Sequence, residues 1–434
     1  MRESMPASWN QRHRLGQTLE DAGVGVFNPH HSTLPLELTG PVDLDAMNRA
    51  WHALQRRHPV LLSGFDLDAM VWHIGLAEPA DIQRTATAGS EDADLAALRS
   101  ACAAPFDLER GPVARLLVTE RADGLTYLAL VTEHLVSDGW SLNVLMRDLS
   151  ALYAAERGGT LHELPPVQTS FPDFVRQQNR MAASPEGQRA VDRLAEALAG
   201  VGAIPAMPIS GFTGRSPVRY ENKDGFSRRL PLELCRSLGT VARPLRMTAL
   251  NLMHAALHRS LFTLSGSGTV ATTLSTANRE LPALHQTVGW LASKAVLTSE
   301  PGGLPGTADY LRHFRRRMLI TLDDGDVPWP VLIDRMDPAA VGRQSRVPYV
   351  TFNARPLGMR KTVGTVGMPG VESRPLPVAV GWHDASIATF WDEDEDGVTA
   401  TINFKTDWYA RADVEALWNG IETSLRAWAA EAGH

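Results

Sequence analysis

Cysteine is nearly missing from this 434-residue chain: only Cys102 and Cys235 occur, far apart and outside any metal-type spacing. That argues against a disulfide framework or a zinc site and leaves two thiols expected to be buried, in a reducing compartment. No run of about 18 apolar residues exists, so no helix is expected to span a membrane. The opening segment MRESMPASWNQRHRLGQ has no apolar stretch and does not read as a signal peptide, which makes the cytoplasm the expected location. Lysine is scarce too, at four residues (Lys223, Lys294, Lys361 and Lys405), so positive charge is almost all arginine. With a net charge of −7, nucleic acid is not an expected partner.

What is present is the patterning of a two-lobed α/β protein. The length exceeds that of one ordinary core. Residues 34–40 (LPLELTG) alternate like a half-buried strand. A helix capped by Asp43 or Asp45 follows and is ended by Pro59, after which VLLSGF reads as extended. Residues 113–119 and 126–132 read as an antiparallel hairpin. Helices are expected from Gly139 and over Phe171–Leu198. The Gly- and Pro-rich stretch at about 199–220 reads as a linker, dividing an N-terminal lobe (1–198) from a C-terminal lobe (199–434). In the second half, 225–230, 270–276, 347–353 and the segments SIATFWDED and VTATINF read as strands. Residues 246–263 and ADVEALWNGIETSLRAWAAEA read as helices.

The chemically informative segment is Thr132-Glu133-His134-Leu135-Val136-Ser137-Asp138-Gly139-Trp140-Ser141. A strand delivers a histidine into a turn, and Asp-Gly precedes an amphipathic helix (SLNVLMRDLSALYAAER). A histidine at a strand end, aimed at a cleft, can act as general base for an attacking amine or hydroxyl. Taken alone, such a residue is more often structural. His134 and Asp138 could also be two metal ligands, but no third ligand is near, so no metal is expected.

This segment resembles the His-His-x-x-x-Asp-Gly hallmark of nonribosomal peptide synthetase condensation domains, in the chloramphenicol-acetyltransferase-like superfamily. Here it reads Glu-His-x-x-x-Asp-Gly-Trp-Ser. Further similar segments follow the same order: Arg57-His58-Pro59-Val60-Leu61, Phe171-Pro172-Asp173-Phe174, Ala277-Asn278-Arg279-Glu280 through Val288-Gly289-Trp290-Leu291, Asp326-Val327-Pro328-Trp329, and Ser345-Arg346-Val347-Pro348 through Phe352-Asn353. The resemblance implies two related lobes in a V-shaped pseudo-dimer, with His134 at the centre of a tunnel between them. It implies transfer of an acyl group, delivered as a thioester on the phosphopantetheine of a carrier protein, to an amine or hydroxyl that is free or itself carrier-bound. No metal or tightly bound cofactor would be needed, and a monomer is the family habit.

For His134 two roles stay open: general base, or positioning group for the tetrahedral intermediate. Gly139 is expected to give backbone room or an N–H near the reacting centre. On the family pattern Asp138 points away from the tunnel and pairs with an arginine, for which Arg279 is the candidate. Trp290 and Asn353 are weaker candidates for the tunnel wall. Glu133 replaces the first motif histidine, at a position that is structural in the family. Three segments are set aside as structural: His30-His31, Trp382-His383-Asp384 and Gly266-Ser267-Gly268.

The expected protein is thus a stand-alone condensation enzyme, since neither an adenylation domain nor a carrier fits within the chain. The alternatives are an acyl-coenzyme A-dependent acyltransferase or an epimerase of the same superfamily, and a degenerate condensation fold that recruits a partner to a carrier.

Overall fold

A computed structural model describes residues 3–158, 163–214, 222–304, 306–323, 327–357, 367–376, 378 and 384–431. Its first half contains β1 (Glu3–Pro6), α1 (Trp9–Gly23), β2 (His31–Thr39), α2 (Leu44–Arg57), β3 (Gly64–Asp66), β4 (Val71–Ile74), β5 (Gln83–Arg84), α3 (Glu91–Ala103), β6 (Ala114–Glu120), β7 (Thr126–Glu133), α4 (Gly139–Glu156), α5 (Phe171–Ala183) and α6 (Pro185–Ala197). The second half contains β8 (Lys223–Pro231), α7 (Leu232–Ala242), α8 (Ala249–Ser265), β9 (Val270–Thr276), β10 (Ser293–Ser299), α9 (Thr307–Asp323), α10 (Trp329–Met336), β11 (Val350–Arg355), β12 (Glu372–Pro375), β13 (Ile387–Asp394), β14 (Gly397–Lys405) and α11 (Arg411–Glu431).

Local chemistry explains most boundaries. Asp43 Oδ1 accepts the amides of Asp45 (3.1 Å) and Ala46 (3.0 Å), which caps α2. The extended run expected after it begins only at Gly64, because Pro59 opens a 3-10 turn over Pro59–Leu62. The single helical stretch expected over Phe171–Leu198 is two helices. Ser184 caps the second by accepting from Gly187 N (3.0 Å), and Pro185 takes its first position. A Cβ on Gly187 would lie 2.1 Å from the Met181 carbonyl oxygen, so the corner requires glycine.

The sheets divide the molecule differently from the proposed boundary at 198/199. Five strands in the order β12-β2-β7-β6-β5 form one large sheet, six in the order β10-β9-β11-β13-β14-β8 form a second, and β1-β4-β3 make a small third. Strand β12 comes from the second half of the chain yet pairs antiparallel with β2, matching Glu372 with Thr39 and Pro375 with Leu36. Conversely, Ala182 of α5 and Val191 of α6 pack on Val327 and Val331 of the second half. The larger cores lie one on each of the two large sheets. One includes Trp51, Leu54, Leu116, Leu128 and Leu145. The other includes Leu257, Trp391, Ile402, Trp418 and Leu425. No helix among the described residues is long and apolar enough to cross a membrane.

Candidate active site

The site grows from β7, whose eight residues TYLALVTE are all buried between β2 and β6. The strand ends at Glu133, and His134–Val136 make one 3-10 turn before α4. His134 N donates to the His30 carbonyl (2.9 Å), so the turn is held against the residue that leads into β2. The imidazole lines a cavity of about 260 Å³, edge-on to Trp290 with ring centroids 4.5 Å apart. The side chain is half-buried, and among the described residues Nδ1 has no hydrogen-bond partner. Burial lowers its pKa from the usual 6.5, so it is neutral at pH 7.

Asp138 fixes this turn to the other half of the molecule. Its Oδ1 accepts from Ser141 N (2.9 Å) and Ser141 Oγ (2.8 Å), capping α4. Its Oδ2 accepts from the amides of Leu291 and Ala292 (3.1 Å each). Arg279 clasps both oxygens, at 2.8 Å from Nη1 and 3.2 Å from Nη2. Burial would raise the Asp138 pKa, but Arg279 and these donors hold it below the usual value. The backbone helps present Arg279: Asn278 before it adopts φ +49°, a conformation asparagine tolerates better than most residues.

Gly139, the first residue of α4, is exposed and does not line the cavity. It has no positive φ, and a Cβ there would meet no atom within 4 Å. No neighbouring protein atom therefore requires glycine at this point. Trp290 and Asn353 do line the cavity. Asn353 accepts from Ser275 Oγ (2.5 Å) and donates to the Thr389 carbonyl (3.2 Å).

Glu133, one residue before His134, is absent from the cavity wall and lies buried against Arg14 (3.8 Å) and His31 Nε2 (3.4 Å). Burial pushes its carboxyl up to about 7 despite the opposing charge of Arg14, and Oε1 has no hydrogen-bond partner among the described residues.

Two segments set aside on sequence grounds prove to be part of the cavity wall. His30 and His31 both line it, as does Asp384. His31 also hydrogen-bonds the Cys102 carbonyl through Nδ1 (2.8 Å). Asp384 accepts from Gln17 (2.8 Å) and Gln344 (2.9 Å) and stands 3.4 Å from His30 Nε2. Burial opposes its ionisation, but His30, Lys294 and the two amides hold it well below the carboxylate range. Trp382, His383 and Asp326 of the sequence motifs lie outside the described residues.

Asn10, His13, Lys294 and Tyr349, which no motif singled out, also line the cavity. Lys294 Nζ hydrogen-bonds Tyr349 Oη (3.1 Å) and faces the rings of Trp329 (4.6 Å) and Tyr349 (5.3 Å). A usable signal for His31 did exist: in an antiparallel β2–β7 pair it stands directly opposite Glu133. Among the described residues no group of three or more His, Cys, Asp or Glu is arranged to hold a metal.

A model of the condensation domain matches residues 19–431. The chain belongs to the condensation domain family. Its curated relatives are far longer than the condensation domain itself. Malpinin synthetase of Mortierella alpina is 24% identical over 93% of this chain, which spans only 5% of that protein. Phosphinothricin tripeptide synthetase PhsC of Streptomyces viridochromogenes is 31% identical over 72% of the chain and 29% of its own length. Among solved structures, the X-domain from teicoplanin biosynthesis superposes with a TM-score of 0.84 at 18% identity, covering 99% of this condensation domain and 96% of that chain. The PapA2 acyl transferase gives 0.79 at 18% identity, with 99% and 93% covered. At such identities the superpositions establish the shared α/β fold.

Proposed function

We propose that this condensation domain transfers an acyl group from a carrier-protein thioester to an amine or hydroxyl acceptor, as part of nonribosomal peptide-type biosynthesis. The observation that carries this reading is a neutral His134 imidazole on the wall of the cavity, in a turn that Asp138 and Arg279 lock to the facing lobe. The acceptor nitrogen or oxygen attacks the thioester carbonyl, and the imidazole takes the proton lost on attack. Collapse of the tetrahedral intermediate forms the amide or ester and expels the carrier thiolate. The imidazolium returns its proton to that thiolate, so no redox equivalent or metal enters the balance. Among the described residues the charged side chains on the wall are Lys294 and Asp384, besides the four imidazoles of His13, His30, His31 and His134.

A second reading, recruitment of a partner enzyme to a carrier, draws support from the similarity to the X-domain, which has also been solved in complex with OxyB (TM-score 0.81, 19% identity). One experiment separates the two. Carriers loaded with simple acyl groups are incubated with amine and alcohol panels, and products are followed by mass spectrometry for wild type and His134→Ala. Transfer that disappears in the variant supports the enzyme. Absence of transfer from every carrier, with tight binding of a partner protein, supports recruitment.

A further inference from the structure

Burying an ammonium group is costly unless an anion or a full set of hydrogen-bond acceptors compensates it. Lys294 projects from β10 onto the cavity wall that also carries His134, and its side chain is half-buried there. Its compensation within the protein is thin. One hydroxyl, Tyr349 Oη, accepts a hydrogen bond, and the faces of Trp329 and Tyr349 supply cation–π contacts. Among the described residues Lys294 forms no ion pair. Asp384, the carboxylate on the same wall, acts on Lys294 through its charge but forms no ion pair with it, and directs its oxygens to Gln17, Gln344 and His30. Among the described residues the wall thus carries one ammonium and one carboxylate beside four imidazoles, and the carboxylate is engaged by other partners, which leaves the ammonium open to an anion from a ligand.

We propose that Lys294, with Tyr349 Oη beside it, is an anchor for a carboxylate carried by the substrate that occupies this cavity. The inference rests on the acyl-transfer reading for its place in a reaction, but the binding it describes can be measured without turnover. A free small amino acid used as acceptor would supply such a carboxylate, whereas an aminoacyl group tethered to a carrier has its carboxyl masked in the thioester. A dicarboxylic acyl donor is the other source of the same chemistry. The cavity, at about 260 Å³, suits a small molecule of this kind. The anchor would align the reacting group with His134 by holding the opposite end of the molecule, so Lys294 is a positioning and specificity residue.

The test uses the whole chain with a loaded carrier. Glycine, alanine and β-alanine are compared as acceptors with their carboxamides and methyl esters. Succinyl and butyryl carriers are compared as donors. Each pair is run with wild type, Lys294→Met and Lys294→Arg. The expected result is a preference for the carboxylate member of one series by about tenfold or more in kcat/KM. That preference should be lost in Lys294→Met through a raised KM and partly retained in Lys294→Arg. The series that shows the preference identifies which substrate bears the anion. Equal use of carboxylates and carboxamides by wild type overturns the proposal, and so does a loss of turnover in Lys294→Met that is equal across both.

Calorimetric binding of the same free amino acids, and of succinate, to wild type and Lys294→Met decides the matter when no transfer is seen at all. Binding that depends on Lys294 upholds the anchor while the acyl-transfer reading falls. No binding of any carboxylate probe removes the anchor.

Discussion

Replacing Glu133 by glutamine should stabilise the protein, and the gain should grow with pH. The side chain is 3% exposed, and its carboxyl is raised from 4.5 to about 7, with burial the main cause. An acid whose pKa is higher in the folded state binds more protons there than in the unfolded chain. Its contribution to stability therefore falls as pH rises from about 4.5 through 7. The cost of keeping the ionised carboxylate buried reaches about 3 kcal/mol above pH 7 and shrinks to a few tenths near pH 4. Glutamine keeps the shape and removes that cost. For cooperative melting of a chain of this length, about 3 kcal/mol corresponds to a Tm gain of roughly 3 °C at pH 8, fading toward zero at pH 4. Paired melting curves of wild type and Glu133→Gln across this range provide the assay. A gain independent of pH would refute the argument, and a loss that is largest at pH 8 would show in addition that Arg14 and His31 stabilise the carboxylate more than burial penalises it.

Arg279→Met leaves Asp138 buried without its counter-charge and should cost about 3–5 kcal/mol at pH 7, a deficit that shrinks in acid as Asp138 takes up a proton; denaturant titrations at two pH values check it. Gly139→Ala should leave stability unchanged or raise it by about 0.5–1 kcal/mol, since a Cβ there meets no atom within 4 Å. A destabilised variant would contradict this, and a stable variant with lowered activity would place substrate against that position. With His134 lowered below its usual 6.5, the acid limb of kcat/KM should fall below pH 6.5. A limb at or above that value would assign the titration to another group.

Much of this arrangement is legible in sequence, because it is local. The buried strand, the turn and the capped helix of residues 126–156 are contiguous, so alternation, an Asp cap and apolar spacing suffice to read them. The partnership of Asp138 and Arg279 spans 141 positions and came from the family pattern, not from spacing. What escaped reading is long-range or inverted in polarity. Helix α1 is the clearest case: the residues it buries include Asn10, Gln11, His13, Arg14 and Gln17. A search for apolar periodicity passes over a helix that turns its polar side inward toward a cavity. His30, Lys294 and Asp384 sit in three unrelated segments whose meeting point only the packed lobes define. Strand β12 carries Glu372-Ser373-Arg374-Pro375, all exposed and without strand-like alternation, and its pairing with β2 is decided by the fold.

That borrowed strand bears on how chains of this kind can be recombined. A chimaera joined in the linker near residue 198 would appear to exchange one intact half for another, yet it would also change the edge of the half left in place. Arg374 grips Glu37 of β2 through two contacts, of 2.5 and 2.8 Å, and Pro375 lies opposite Leu36. A donor parent with an acid at position 374 would set two carboxylates face to face on that edge. Compatible parents are therefore chosen as much by the fit of residues 36–39 to 372–375 as by the sequence around the joint.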